Sequence, residues 1–462
     1  MPMLKSILRT ALAAALLSAS FAAGAQRAGR AHPLGRIAGL ADAREVRVET
    51  QPPTPQPLSF FWDHLAGEGS LVIPTITPAG EYQARIVWRD AAGRERQHSL
   101  QLNVQAPPPL RTGSQPPVIL LNGFQSPDNL LEILLYGACP VSRTEPPSRA
   151  TFGELENVLT AAGHPVLFFD NCVECRGGNI EECGQALGRY LAEYPTENGE
   201  GLPQADLVGH SMGGLIARAY LAGMLPDGSF HPPAPLRVRK LALLGTPNFG
   251  SFRALNLPFL SPQLPEMMPG SDFLFRLATW DGGGDGLRGV DALSLAGNGC
   301  FFGNLAEAGD GVVSLISASL NFAREPERTR ILPYRHTDGL GSLCPDRTPL
   351  ASVDGPAHLT AAALLSFLDD TGEWRNIGMS AADEFYLLRY GAGLAALPGA
   401  TRLISGAGVE WTKGPEPNPS NIFHAPFLPS EATDLWFEID GMWVRFDAVI
   451  PVGTALAATI RP

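Results

Sequence analysis

Charge is what this sequence has least of. Asp, Glu, Lys and Arg make up 17% of the 462 residues, against ~25% in an average soluble chain. Acidic residues (46) outnumber basic ones (34), the formal net charge is −12, and no basic run with interleaved aromatics occurs. That balance excludes a basic face for nucleic acid. Long apolar runs are missing after the N-terminus, so no later segment is expected to cross a bilayer as a helix. Cysteine is scarce too: Cys139, Cys172, Cys175, Cys183, Cys300 and Cys344 are the six. Glycine (50) and proline (42) are plentiful. The length suggests about three domains, loop-rich and with a large core.

Lys5 and Arg9 precede an apolar run from Ala11 to Ala23, and Ala23-Gly24-Ala25 offers small residues for cleavage before Gln26. This reads as a secretory signal peptide over 1–25. A transmembrane anchor needs a longer span, and no cysteine follows the cleavage point to carry a lipid. The mature chain is expected to be soluble, without a transmembrane anchor, and secreted or periplasmic. An even cysteine count in an exported chain reads as disulfides, with fifteen connectivities open. Cys172-x-x-Cys175 as a zinc pair lacks nearby ligands, Cys183 excepted. Cys300 is expected to pair with Cys344, both falling in loops on the same face.

Residues 26 to about 40, rich in Arg, Gly and Ala, read as mobile. From 41 to 105 the pattern is β: Tyr82, Ala84, Ile86 and Trp88 share one face of a strand, and Leu100, Leu102 and Val104 one face of the next. Gly80-Glu81-Tyr82 and this strand pair resemble the end of bacterial immunoglobulin-like domains. The proline-rich stretch 106–117 is a linker. Val118-Ile119-Leu120-Leu121 then reads as a strand buried on both faces. Further strands are expected at Val166–Phe169, Ala205–Val208, Lys240–Leu244, Asp291–Ala296 and Thr329–Tyr334. Helix-like runs lie between several of them. That alternation predicts an α/β fold with a doubly wound parallel sheet. Residues 252–290 break the rhythm with Pro, Gly and apolar residues. They read either as a lid over an apolar site or as groups packed on the core. The acidic run Asp281–Asp291 lacks the alternating spacing of a calcium loop. From 371 to 462 the chain reads as a small β-rich module, with a hairpin at Asp440-Gly441.

The chemistry centres on Gly209-His210-Ser211-Met212-Gly213, between an apolar strand and a helix-forming run. In a chain this rich in glycine the bare Gly-x-Ser-x-Gly pattern is expected by chance roughly 0.3 times, so the strand–turn–helix context carries the signal. A serine hydroxyl needs a base, the base an orienting acid, and the oxyanion donors. His336 directly follows the last expected strand, where a loop can bring it over Ser211. His358 abuts a closing helix and reads as structural. Asp310, between two glycines, is the preferred acid. Asp338 is too close to His336 in sequence, and Asp291 and Asp354 stand in reserve. The oxyanion donors are expected to be the backbone N–H groups of Met212 and Phe124. No metal and no organic cofactor is expected.

Taken in order, several segments resemble the lipase-type α/β-hydrolase superfamily. They are Val118–Phe124, Gly209–Gly214, Gly245-Thr246-Pro247-Asn248-Phe249-Gly250, Met268–Leu274 and Gly309-Asp310-Gly311-Val312-Val313. The resemblance covers 117–370 and is to secreted bacterial triacylglycerol lipases and glycosylphosphatidylinositol-type deacylases. It implies that Asp310 is the triad acid. Such lipases usually carry His-Gly where this chain has Asn122-Gly123. The expectation is a secreted serine carboxylic-ester hydrolase acting on a lipidic or other apolar ester, with lid contact to a lipid interface. An acyltransferase or polyester hydrolase on the same triad is the alternative, or a non-catalytic surface-binding protein built on the same scaffold.

Overall fold

The computed structural model describes most of residues 25–380 and, beyond 380, chiefly backbone strands. Residues outside the described set are 1–24, 41–42, 64–66, 112, 114, 126–138, 140–146, 177, 252, 255–260, 282–284, 302–307, 324 and 338–347, and several stretches after 380.

The first seven strands form two sheets. Gln26–Arg27 (β1), Arg44–Gln51 (β3), Gly80–Arg89 (β6) and Glu95–Gln105 (β7) make one, in the order β1-β7-β6-β3. Arg30–Gly35 (β2), Ser59–Asp63 (β4) and Glu68–Ile73 (β5) make the other, in the order β2-β5-β4. Period-two alternation builds the core between them. Tyr82, Ala84 and Ile86 are buried while Glu81, Gln83 and Arg85 are exposed. Leu71 and Ile73 of one sheet share a cluster with Tyr82, Ala84, Leu102 and Val104 of the other. Strand structure starts earlier than the sequence suggests. Gln26 pairs with Val104, and Arg30–Pro33 pair with Ile73–Ser70, in the stretch expected to be mobile.

The second body is a seven-stranded sheet. Its strands are Val118–Leu121 (β8), Val166–Phe169 (β9), Ala205–His210 (β10), Val238–Leu244 (β11), Asp291–Gly297 (β12), Thr329–Leu332 (β13) and Met379–Ser380 (β14). The order is β14-β13-β12-β11-β10-β8-β9. All pairs are parallel except β13–β14, so the six strands read from sequence form the parallel part and β14 adds an antiparallel edge beyond residue 370.

Strands of a parallel sheet are buried on both faces, and alternate residues feed two cores. Leu241 and Leu243 pack with the helices Ile180–Glu193 (α1) and Met212–Ala222 (α2). Ala242 and Leu244 pack on the other face with Leu359–Leu368 (α4). Helix α3, Asp272–Thr279, lies between these in sequence. It starts at Ser271, whose side chain accepts from Leu274 N, a standard N-cap. Its Phe273, Leu274 and Leu277 join the α1–α2 cluster, whereas Phe275 is 58% exposed. The described apolar groups of 252–290 therefore include several packed on the core.

After residue 380, Leu435–Ile439 pairs antiparallel with Met442–Phe446, the hairpin that Asp440-Gly441 signals, and further strands complete two antiparallel sheets. The two turn residues themselves lie outside the described set. Of the cysteines, Cys139 bonds to Cys172 and Cys175 to Cys183. Cys344, and so the expected Cys300–Cys344 pair, lies outside the described residues.

Candidate active site

In this sheet β8 continues outward to β9 on one side, while the chain returns to lay β10 on its other side. That reversal makes the carboxyl ends of β8 and β10 the switch point of the sheet, the place where ligands bind in open α/β sheets. Ser211 stands at the end of β10 with φ 54° and ψ −126°, a backbone region L residues rarely adopt. Two glycines make that turn fit. A Cβ on Gly209 would lie 2.6 Å from Gly214 N, and one on Gly213 would lie 2.4 Å from Leu121 O. Helix α2 starts at Met212, directly after the serine, so its first N–H groups are not used within the helix.

Asp310 is completely buried. Its Oδ1 accepts from Val312 N at 2.9 Å and from Val313 N at 2.7 Å. Its Oδ2 faces His336 Nδ1 at 2.6 Å. The backbone repeats the tie, with His336 N donating to Asp310 O at 2.8 Å. The carboxylate is thus held by three donors, and the ring is oriented with Nδ1 toward it. The ring of His336 lies 4.7 Å, centroid to centroid, from that of His210, the residue before Ser211. His210 is held well below the ordinary histidine pKa, first by burial and then by its neighbour His336. It stays neutral beside the site.

The loop after β8 touches the serine. A Cβ on Gly123 would lie 2.7 Å from Ser211 Cβ. The structure sets the Gly123 backbone against Ser211 and Asp310 against His336, whose ring lies beside that of His210. Other candidates lie elsewhere. His358 caps α4, accepting from Thr360 N, and stacks on Tyr334. Asp291 opens β12, at the opposite end of the sheet from Ser211, and pairs with Arg328. Asp338 is outside the described residues.

Three neighbours of the site carry no motif of their own as nucleophile, base or acid. Gly245 (φ +54°) lies against the Asp310–His336 pair. Asn171 and Asp170 hold the loop of Asn122 and Gly123. Asn122, which departs from the His-Gly of the resembled lipases, turns its side chain to these two residues. Their only sequence signal is position, directly after strand β9.

No family model matches the chain, and no curated protein does. Solved structures similar to it include a phospholipase from Legionella pneumophila, 14% identical, covering 72% of this chain and 89% of that one at a TM-score of 0.43. A Bacillus licheniformis lipase is 18% identical, over 48% of this chain and 85% of that one, with a TM-score of 0.31. A lipase-esterase related protein from Clostridium acetobutylicum is 11% identical, over 56% and 95%, with a TM-score of 0.28. Likeness of this degree leaves the chemistry to be read from the side chains.

Proposed function

We propose that the protein is a secreted serine carboxylic-ester hydrolase, with Ser211 as nucleophile, His336 as base and Asp310 as its orienting acid. The observation that carries the reading is the 2.6 Å contact between His336 Nδ1 and Asp310 Oδ2, with the His336 ring 4.7 Å from that of His210, the residue before a serine at φ 54°. Asp310 accepts a hydrogen bond from the Nδ1–H, which stays on the ring and leaves Nε2 free to act as a base. His336 Nε2 takes the Ser211 hydroxyl proton as Oγ bonds to the ester carbonyl carbon. The carbonyl π pair moves onto oxygen, where the N–H groups of Met212 and Phe124 stabilise the charge. Collapse breaks the ester C–O bond, and the imidazolium gives its proton to the leaving alcohol. Water then attacks the acyl-serine with His336 again as base, releasing the carboxylic acid and restoring Ser211.

A lipidic or otherwise apolar ester is the proposed substrate. The segment 252–290 is proposed as a lid, with exposed Phe275 available to a lipid surface. Residues 1–25 are proposed as a signal peptide. An immunoglobulin-like β domain, expected at 41–105, starts at about 26 in this reading. The catalytic domain runs from 117 to about 380, and a β-rich module follows. Two disulfides fit an oxidising compartment.

The test is hydrolysis of p-nitrophenyl esters of short to long acyl chains by the mature protein and by Ser211→Ala. Turnover lost in the variant supports the reading, and the chain-length profile separates lipase from short-chain esterase. Equal turnover in both proteins sinks it. Product partition in added alcohol tests acyl transfer.

A further inference from the structure

Asn171 is 1% exposed and Asn122 fully buried, and the two are locked together. Asn171 N donates to Asn122 Oδ1 at 3.0 Å. In return, Asn171 Nδ2 donates to two successive backbone carbonyls, Asn122 O at 3.1 Å and Gly123 O at 2.8 Å. Both amide hydrogens are therefore used. A flipped amide would set Oδ1 against two carbonyl oxygens, so the hydrogen-bond pattern fixes the orientation. Asn122 Nδ2 in turn donates to Asp170 Oδ1 at 3.3 Å.

The carbonyl of Gly123 belongs to the same planar unit as the N–H of Phe124. In a trans peptide the two point to opposite sides. A side chain that holds the Gly123 carbonyl on one side therefore sets the direction of the Phe124 N–H on the other. We propose that Asn171 is a positioning residue for the oxyanion site: its amide orients the Gly123–Phe124 peptide plane and so aims the Phe124 N–H. This rests on the ester-hydrolase reading above. It also accounts for asparagine at position 122, whose side chain is used to pair with the turn at 170–171.

The same turn is fastened from outside the sheet. Cys172, the next residue, is bonded to Cys139, and Cys139 N donates to Gln125 O at 2.9 Å. The disulfide thus links the end of the oxyanion loop to the residue beside Asn171. An oxyanion donor works only if it is already in place when charge develops, because reorganising it during the reaction would spend the stabilisation it supplies.

The experiment compares wild type, Asn171→Ala and Asn171→Leu on p-nitrophenyl butyrate, with thermal melts to establish that each is folded. Alanine leaves a hole and leucine fills it, but neither can donate. If Asn171 acts through the peptide plane, kcat falls roughly 10- to 100-fold in both, below the 10²–10³ lost with a whole donor, while KM stays within about twofold. Affinity for an aryl boronic acid, which mimics the tetrahedral oxyanion, falls by about the same factor as kcat. A packing role alone would leave leucine near wild type and boronate affinity unchanged. If neither variant folds, Asn171→Ser, with room for water in the amide's place, carries the same comparison. Wild-type kcat in a folded variant overturns the proposal, as does a loss confined to KM. Ser211→Ala, run alongside, separates the two failures. If it is inert while the Asn171 variants match wild type, only the positioning role falls. If it remains active, the hydrolase reading falls first.

Discussion

Gly245 packs so closely on Asp310 that a Cβ at position 245 would stand 2.8 Å from the carboxylate Oδ2, and 3.1 Å from His336 Nδ1. The backbone there is left-handed, φ +54°. Gly245→Ala therefore meets a collision with the acid–base pair in addition to conformational strain. A misplacement of about 1 Å at such a pair costs on the order of 10²-fold in rate. Gly245→Ala is expected to lose at least that much in kcat/KM. Gly289→Ala is the comparison: φ is +73° there, but nothing lies within 4 Å of the added carbon. It should lose about 1 kcal/mol of stability and keep its activity. Equal activities in the two variants would refute the steric argument.

The end of the 252–290 segment is held by a buried ion pair. Arg218 donates to Asp285 Oδ2 from Nε at 3.0 Å and from a terminal nitrogen at 2.9 Å. Asp285 Oδ1 accepts from Trp280 Nε1 at 3.0 Å and from Leu287 N at 3.1 Å. The guanidinium also lies 3.5 Å from the Phe322 ring centre. Removing one member leaves the other charge buried alone, which costs about 3–5 kcal/mol. Asp285→Ala should show that loss in urea unfolding. Replacing both, Arg218→Met with Asp285→Leu, should recover most of it.

Glu174 supplies a pH dependence with a definite sign. Burial pushes its carboxyl up to about 7, opposed by hydrogen bonds from Thr75. The folded state therefore binds this proton more tightly than the unfolded chain, whose ordinary value is 4.5. The stability it contributes is present in full below the unfolded value. It is lost as pH rises from about 4.5 to about 7, after which no more is lost. The full span is on the order of 3 kcal/mol. Glu174→Gln stays neutral, so its stability relative to wild type should rise between pH 4.5 and pH 8. Denaturant midpoints measured across that range test this, and a constant difference would count against it.

Ser211 is strained where it stands, and a residue at such dihedrals costs about 1–3 kcal/mol. Glycine adopts them freely, at an entropic disadvantage of roughly 0.5–1 kcal/mol. Ser211→Gly is therefore expected to be more stable than wild type by about 1 kcal/mol while hydrolysing no ester. A destabilised Ser211→Gly would show that the serine side chain packs better than its backbone suggests.

What the sequence makes legible is local. Val118–Leu121 is apolar on both faces and short, and it becomes a fully buried parallel strand. Gly209 and Gly213 bracket Ser211 at fixed spacing, and the turn needs both. Asp310 and His336 stand 26 residues apart, each at a loop position where chain order narrows the choice. What stays hidden depends on distant partners. Asn171 looks like any residue of a short turn until it is seen to hold a carbonyl 48 residues away. Gln26–Arg27 reads as loop because its pairing partner is Val104–Gln105. Phe273 and Leu277 illustrate a different limit. An apolar residue facing a core and one facing a substrate have the same chemistry, so composition cannot separate them.

The Cys139–Cys172 bond closes a loop across 33 residues of sequence. A protease that cuts the chain once inside that loop would not divide the molecule. The piece carrying β8 and the piece carrying the nucleophile would stay tethered through sulfur, and would migrate as one species until a thiol reductant was added. A single band on a non-reducing gel is thus no guarantee of an uncut backbone in this protein.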